Sequence, residues 1–368
     1  MQIGIKRQVD RRVLRGRDGA DWTNALILKR KWFEMKDGLA GSAPSTDVSS
    51  PRMPLNSQYA GEEVDLSWKR SIQLPLLAKK EQTLGQEATH AVVDHFFHEG
   101  ANWRALIPLN GVSHVCGQAI NFSRPKTKRG VDGPEIVRDE FGVPRRTWPM
   151  LNHLQTRVAM LPDSPIELYA LDTDEFGTPE HRVDEFVYSV EAIGPPGVDF
   201  NFCDALHGNL LSVHRSLSLQ EMAFERLVVL NQWILESPAL PLTREQLRAV
   251  LIASVQRGHR AGLEEMYYLI RLFRTSNCTS HPFQILDSVM SYKWHQRLGA
   301  MLYRLPLSPR FYLRVRGLDA DPARRNIFRD EFADYVKDKA TQRRKREFVR
   351  RQIELRRARK VALSTAPS

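Results

Sequence analysis

Cys278 has the sequence surroundings of a reactive thiol. It follows an aromatic-rich stretch and directly precedes a predicted helix, in whose first turn Pro282 would be tolerated. A thiol near unpaired backbone N–H groups and the positive end of a helix dipole ionises more readily. The N–H groups of Thr279 and Ser280 are candidate donors to an oxyanion. The alternative is an inert, buried cysteine that behaves as a small apolar residue.

A base for this thiol would come from His114, which lies at the start of an apolar strand-like segment. Asn121 and Glu191 lie on strand-like segments and are candidates to orient the imidazole. A thiolate that attacks an acyl carbonyl forms an acyl-enzyme, so the pair predicts acyl transfer to water or to an amine. Taken alone, His114 also fits a core histidine, and its two candidate partners also fit surface or turn positions.

A metal site is the competing interpretation of a histidine cluster upstream. His90, His95 and His98 lie with Asp94 in a segment where apolar steps of four predict a helix over residues 81–98. On a helix only two of these histidines share a face, and no opposing acidic ligand is evident. We therefore expect no metal site here.

Composition and cysteine usage narrow the class of protein. The 368 residues are 42% hydrophobic, which suffices for one large domain or two ordinary ones. No apolar run approaches a membrane span, and the N-terminus lacks the apolar core of a signal peptide. The three cysteines (Cys116, Cys203 and Cys278) have neither disulfide-framework nor zinc spacing. We expect a reducing compartment, the cytoplasm by default, and no cofactor or metal.

The positive charge is concentrated near the C-terminal end. Twelve lysines or arginines against three carboxylates lie between Lys337 and Lys360, so this segment carries most of the net charge of +11. The predicted helix there has no continuous apolar stripe, so it is solvated or held by a partner. Such a segment binds nucleic acid or an anionic membrane, or serves solubility alone. The predicted polyanion-binding residues are Arg343, Arg344, Lys345, Arg346, Arg350 and Arg351.

Hydrophobic patterning divides the chain into strands followed by helices. Apolar or alternating runs predict strands over residues 105–107, 112–122, 166–171 and 185–192, and a helical period begins near Ser218. Thr243 opens one helix with a capping box. Further helices are predicted over residues 264–273 and 282–303. This order predicts an α+β fold with an antiparallel sheet and a helical C-terminal half.

Four segments occur in an order that resembles a known family. They are Val112-Ser113-His114-Val115, Tyr188-Ser189-Val190-Glu191-Ala192, Pro241-Leu242-Thr243-Arg244-Glu245-Gln246, and the stretch from Met266-Tyr267-Tyr268 through Ser276-Asn277-Cys278-Thr279-Ser280. Over about residues 105–292 the chain resembles the bacterial family named for the N-terminal periplasmic domain of the lipoprotein N-acyltransferase Lnb. The resemblance implies a permuted papain-like fold, in which the histidine strand precedes the cysteine helix. It also implies a Cys278 nucleophile and a His114 base acting on an acyl-bearing lipid, peptide or lipoprotein-like substrate.

Two functional hypotheses follow from the sequence. The first is a thiol acyltransferase or amide and ester hydrolase, with a partly flexible N-terminal extension over residues 1–80, a papain-like domain over 81–305 and a basic helical tail over 306–368. The second is a binding or assembly protein without enzymatic activity, which uses the tail on nucleic acid or an anionic membrane.

Overall fold

The computed structural model of the chain divides it into two compact units, Met1–Val48 and Ser49–Ser368. It describes residues 51–66, 88–121, 125–130, 133–139, 144–145, 147, 151–172, 176–270, 276–301, 309–319 and 326–365. The first unit, and with it most of the predicted N-terminal extension, lies outside these residues.

A large, mostly antiparallel sheet forms the centre of the second unit. The strands are β1 (His90–His98), β2 (Ala101–Pro108), β3 (Val112–Asn121), β4 (Thr127–Gly130), β5 (Gly133–Ile136), β6 (Asn152–Met160), β7 (Ile166–Tyr169), β8 (His181–Val183), β9 (Glu185–Ile193), β10 (Leu210–Ser218), β11 (Ile234–Glu236), β12 (Met266–Tyr267) and β13 (Asn326–Ile327). The order across the sheet is β13-β11-β3-β6-β9-β10-β1-β2-β7-β8, β12 pairs with β10, and β4 and β5 form a separate hairpin. Strands β1 and β10 pair in parallel, whereas the other described pairs are antiparallel. The predicted combination of helices with a large antiparallel sheet is confirmed.

Helices cover both faces of this sheet. They are α1 (Phe202–His207), α2 (Leu219–Ala223) with its π-helical continuation (Phe224–Val229), α3 (Arg244–Ala261), α4 (Ser280–Val289), α5 (Trp294–Ala300), α6 (Pro309–Val315), α7 (Phe328–Glu331), α8 (Ala333–Lys337) and α9 (Lys339–Thr365). Helices α3, α4 and α6 pack on the first face, and α2, the π-helical segment, α7 and α8 pack on the second. Among the residues that the structure describes, no helix is both long and apolar enough to cross a membrane.

Strand β10 is buried along its whole length near the middle of the sheet. Because side chains alternate along a strand, His214 points to the first face and Arg215 to the second. Arg215 donates two hydrogen bonds to Glu225, of 3.0 and 2.7 Å, and its guanidinium lies 5.6 Å from the ring centre of Phe97. Both charged side chains are almost fully buried. This ion pair fixes the π-helical segment to the second face.

The segment predicted as a helix over residues 81–98 is a strand where the structure describes it. Ala91 and Val93 are fully buried at alternate positions, and Phe96 is the next fully buried residue. The strand has a bulge between Val93 and Phe96, where His95 adopts a left-handed φ of 64°. An alternating pattern with one inserted residue imitates a spacing of three or four, which is the reason the prediction was wrong.

Other boundaries also differ from the predictions. The predicted helix over 264–273 is wrong where it is described, because Met266–Tyr267 pairs with β10 as β12. The predicted helix over 282–303 is interrupted between α4 and α5. The capping box at Thr243 is confirmed, and it opens α3. The predicted division at residues 80 and 305 does not match the packing, since Met53 and Val64 join a cluster against β10 and β13 extends the main sheet.

We expect the Arg215–Glu225 pair to be a large local contributor to stability. Replacement of Glu225 by alanine leaves a buried guanidinium without its carboxylate, which costs about 3–5 kcal/mol of the free energy of unfolding. Urea denaturation followed by circular dichroism measures this loss. The control is Glu347→Ala on the exposed side of α9, which should change stability by less than about 0.5 kcal/mol. Equal stability of the two variants would contradict the assignment.

Candidate functional site

Asn277 organises the start of helix α4. Its side-chain oxygen accepts hydrogen bonds from the backbone N–H groups of Thr279 and Ser280, at 2.9 and 2.7 Å. Its side-chain nitrogen donates to the carbonyl of Leu269, at 2.8 Å. Asparagine is a favoured residue for such local bonds from a side chain to the backbone, which form a turn just before the helix. The two N–H groups predicted as oxyanion donors are thus already bonded to a side chain, and the geometry does not support that role.

Cys278 is fully buried in this turn. The hydroxyl of Tyr267 donates to its sulfur at 3.3 Å and accepts from its backbone N–H at 3.4 Å. The thiol in turn lies 4.0 Å from the carbonyl oxygen of Asn152. Burial raises the pKa of the Cys278 thiol, although the Tyr267 hydroxyl acts in the opposite direction. The thiol is therefore held in its neutral form, contrary to the predicted thiolate.

His114 and Cys278 lie at opposite ends of the same strand pair. His114 on β3 faces Ala159 on β6, whereas the Cys278 sulfur lies beside Asn152 at the start of β6. The two β6 positions are seven residues apart, or roughly 23 Å at the rise of a strand. The Nδ1 atom of the His114 ring lies 3.2 Å from the hydroxyl oxygen of Ser113. The predicted cysteine–histidine pair is not formed.

Asn121 and Glu191, the predicted partners of His114, both lie towards the cysteine end of the sheet. The backbone of Asn121 pairs with Asn152, and its side chain lies outside the described part of the chain. Glu191 is buried, accepts a hydrogen bond from Ser189 at 2.7 Å and is ion-paired with Arg226. Neither residue is placed to orient His114.

Glu191 instead contacts His153, a residue that the sequence analysis did not select. The Nε2 atom of His153 lies 3.4 Å from the Glu191 carboxylate and 2.9 Å from the Ser189 hydroxyl. The ring is buried on β6, next in sequence to Asn152. An alternating strand pattern with a polar residue at an inward position could have identified it, but no strand was predicted there.

Another polar cluster lies on the first face of the sheet, around the start of α4. It consists of His214, Glu265, Ser276 and His281. The Ser276 hydroxyl lies 2.7 Å from Glu265 and 3.1 Å from the Nε2 atom of His281. The rings of His214 and His281 meet edge to face, with centres 4.7 Å apart.

Two sets of metal-ligating side chains converge in the described part of the chain. One is His214, Glu265 and His281, and the other is His98, Glu99 and His181. The argument that only two of His90, His95 and His98 share a helix face does not apply, because these residues lie on a bulged strand. Of the three, only His98 belongs to one of the two sets.

Helix α9 is fixed to the body by the side that bears Arg344. This side chain binds Glu221 with two contacts of 2.7 and 2.8 Å, and its guanidinium lies 3.9 Å from the ring centre of Phe224. Further along the helix, Arg359 pairs with Glu62. This geometry does not support the prediction that Arg344 binds a polyanion, because its charge is already matched by a buried carboxylate.

The opposite side of α9 presents cations to solvent. We define the outer stripe as the exposed residues Arg343, Arg346, Arg350, Arg357 and Lys360. Their spacing of three, four, seven and three places them along one side of a helix. Arg351 is exposed but lies two turns after Arg344 on the same side of the helix, and Lys345 is partly buried. Of the predicted cations, Arg343, Arg346 and Arg350 thus belong to the outer stripe.

Comparisons of the chain with models of protein families, with curated proteins and with solved structures found no match. The resemblance to the Lnb family therefore stays a prediction from four sequence segments. The structure offers two arrangements with chemical potential: a neutral thiol next to the Tyr267 hydroxyl and the carbonyl of Asn152, and a fixed helix with an exposed row of cations.

We expect Cys278 to resist alkylation in the native protein. Its sulfur is buried and protonated, whereas Cys203 is exposed. Iodoacetamide at neutral pH should modify Cys203 first, and Cys278 only after denaturation. Peptide mass spectrometry over a time course measures the two rates, with buried Cys116 as the internal control. Modification of Cys278 as fast as that of Cys203 would contradict this expectation.

Proposed function

We propose that the protein binds nucleic acid through the outer stripe of α9. The observation that carries this proposal is the two-sided arrangement of the helix. One side is fixed to the body by the ion pairs of Arg344 and Arg359, and the other presents five cations to solvent, of which Arg343 also forms an exposed ion pair with Glu347. A basic segment without such contacts could serve solubility alone, whereas this one holds its charges in a defined row.

The chemistry of the row suits phosphate groups. Four of its five members are arginines, whose planar guanidinium presents paired donors that match phosphate oxygens. Between Arg343 and Lys360 the row extends roughly 26 Å at the rise of an α-helix. A row of this length can contact several successive phosphates. Such contacts carry little sequence information, so we expect affinity for nucleic acid without strong base preference.

A nucleic acid accounts for the outer stripe better than a membrane surface does. A helix that lies in a membrane interface needs an apolar face directed at the lipid. The aromatic residue of the central part of α9, Phe348, instead packs edge to face on Phe224 of the body, with ring centres 6.3 Å apart. On the solvent side, Val349, Ile353 and Val361 are exposed large apolar residues of the helix, and each has charged neighbours in the sequence.

Neutralisation of the outer stripe tests the proposal. The variant Arg346→Gln/Arg350→Gln/Arg357→Gln should bind a labelled oligonucleotide more weakly at low salt. Its slope of log affinity against log salt concentration should be smaller by about 2–3, because each lost phosphate contact removes about 0.7–0.9. Fluorescence anisotropy across a salt series measures both quantities.

The matched control removes as many cations from another surface. Lys126, Lys128 and Arg129 are exposed on or beside the β4–β5 hairpin, and their triple glutamine variant should bind as the wild type does. Anionic vesicles provide the membrane comparison. The proposal is refuted if both triple variants retain wild-type binding, or if the protein binds vesicles but no oligonucleotide.

A second candidate is acyl transfer at Cys278 in the permuted papain-like arrangement that the motifs imply. One observation favours it, namely that the Cys278 sulfur lies 4.0 Å from the carbonyl oxygen of Asn152, the residue before His153, whose Nε2 atom lies 3.4 Å from Glu191. With His153 as the base in place of His114, the histidine strand still precedes the cysteine helix. Because the thiol is buried, this function requires the start of α4 to move and admit an acyl substrate.

An acyl-directed activity probe separates this candidate from the first. Labelling of the wild type that is lost in both Cys278→Ala and His153→Ala, and kept in His114→Ala, would support acyl transfer. Equal labelling of all four proteins, or none, would remove it. Neither result depends on the cations of α9.

A further inference from the structure

We propose that His214, Glu265 and His281 form a binding site for a divalent transition-metal ion of the zinc type. The site lies on the first face of the sheet and does not involve α9. The ligand atoms of these three residues all lie within 4.8 Å of one another. They come from strand β10, the residue before β12, and the first turn of α4, so tertiary structure alone brings them together.

The distance between the ligand atoms of His281 and Glu265 suits a tetrahedral ion. The Nε2 atom of His281 lies 3.5 Å from the near oxygen of Glu265, which is longer than a good hydrogen bond. In a tetrahedral zinc site with bonds of about 2.0–2.1 Å, neighbouring ligand atoms lie roughly 3.3 Å apart. The Ser276 hydroxyl completes a triangle with these two atoms, at 2.7 and 3.1 Å. It marks the position of a fourth ligand, which would be this hydroxyl or a water molecule.

Neighbouring residues already orient two of the ligands. The hydroxyl of Tyr188 and the Nδ1 atom of His214 share a hydrogen bond of 2.6 Å, so His214 would bind the ion through Nε2 and donate its Nδ1 proton to the tyrosine oxygen. Arg257 donates to the far oxygen of Glu265 at 2.5 Å, which directs the near oxygen into the cluster. Such partners fix the ring and carboxylate of metal ligands and are required for tight binding.

Burial and charge agree with this geometry. Both histidines are almost fully buried, whereas the side chain of Glu265 is 27% exposed and gives the cluster access to solvent. Burial lowers the pKa of His214 well below its ordinary value, so its imidazole is neutral, as a metal ligand must be. Burial alone would raise the pKa of Glu265, but the positive charge of Arg257 and the hydrogen bond from Ser276 hold it below its ordinary value. The carboxylate is therefore ionised.

The ligand chemistry defines the class of ion. Two imidazoles and one carboxylate bind zinc in hydrolytic sites, where a fourth position holds water. Calcium and magnesium prefer sites made of oxygen ligands. We therefore expect binding of Zn²⁺ and Co²⁺, and no comparable binding of Mg²⁺ or Ca²⁺.

The test uses the full-length, untagged protein, treated with a chelator and then dialysed. Zn²⁺ affinity is measured by competition with a chromophoric chelator, and geometry by the visible absorption of bound Co²⁺. The wild type should bind one equivalent of Zn²⁺ and show the intense spectrum of tetrahedral Co²⁺. His281→Gln and Glu265→Gln should lose this equivalent, and Tyr188→Phe should bind about 10–100-fold more weakly.

The other converging set provides the matched control. The double variant His98→Gln/His181→Gln should bind as the wild type does, since its residues lie outside the proposed site. The proposal is overturned by the absence of a Zn²⁺ equivalent in the wild type, which would indicate a hydrogen-bonded network only. It is equally overturned if the control variant loses the ion. If circular dichroism shows that a ligand variant does not fold, two other measurements test the site. A tetrahedral Co²⁺ spectrum of the wild type and weaker Zn²⁺ binding by Tyr188→Phe support it, and the absence of both overturns it.

Discussion

The buried charge of Arg215 is the constraint on which the two-sided packing of the sheet depends. A guanidinium enclosed on both sides must be matched by a carboxylate, and Glu225 supplies it from the π-helical segment. That segment carries Phe224, on which Arg344 of helix α9 lies. The same strand turns His214 to the opposite face, towards Tyr188 and helix α4. Both arrangements thus depend on one register of β10.

The sequence predicted elements well where a single local signal decides the structure. The capping box at Thr243 and the alternating strand β9 are examples, and both need only nearby residues. Strand β10 was not predicted, because it is buried on both faces and Arg215 and His214 occupy inward positions. Their polarity imitates exposed positions, and the partners that make them acceptable are remote in sequence. The bulge between Val93 and Phe96 likewise caused β1 to be predicted as a helix.

The site around Cys278 shows why local sequence misjudged its chemistry. A thiol at the start of a helix is activated only if the helix N–H groups and solvent reach it. Here the side chain of Asn277, the preceding residue, occupies two of those N–H groups. Tertiary packing then excludes solvent, which raises the thiol pKa. The distance to His114 was likewise set by strand register, which no local pattern records.

The cations of α9 show the same dependence on tertiary partners. The sequence indicates a dense basic segment but does not distinguish its members. Carboxylates of the body distinguish these members by pairing with two of them: Glu221 forms an ion pair with Arg344, and Glu62 forms one with Arg359. Those pairs neutralise the inner side of the helix and orient it, so the charge that remains for a partner is concentrated on the outer stripe. Because this helix and the His214–Glu265–His281 cluster lie on different parts of the molecule, loss of either should leave the other intact.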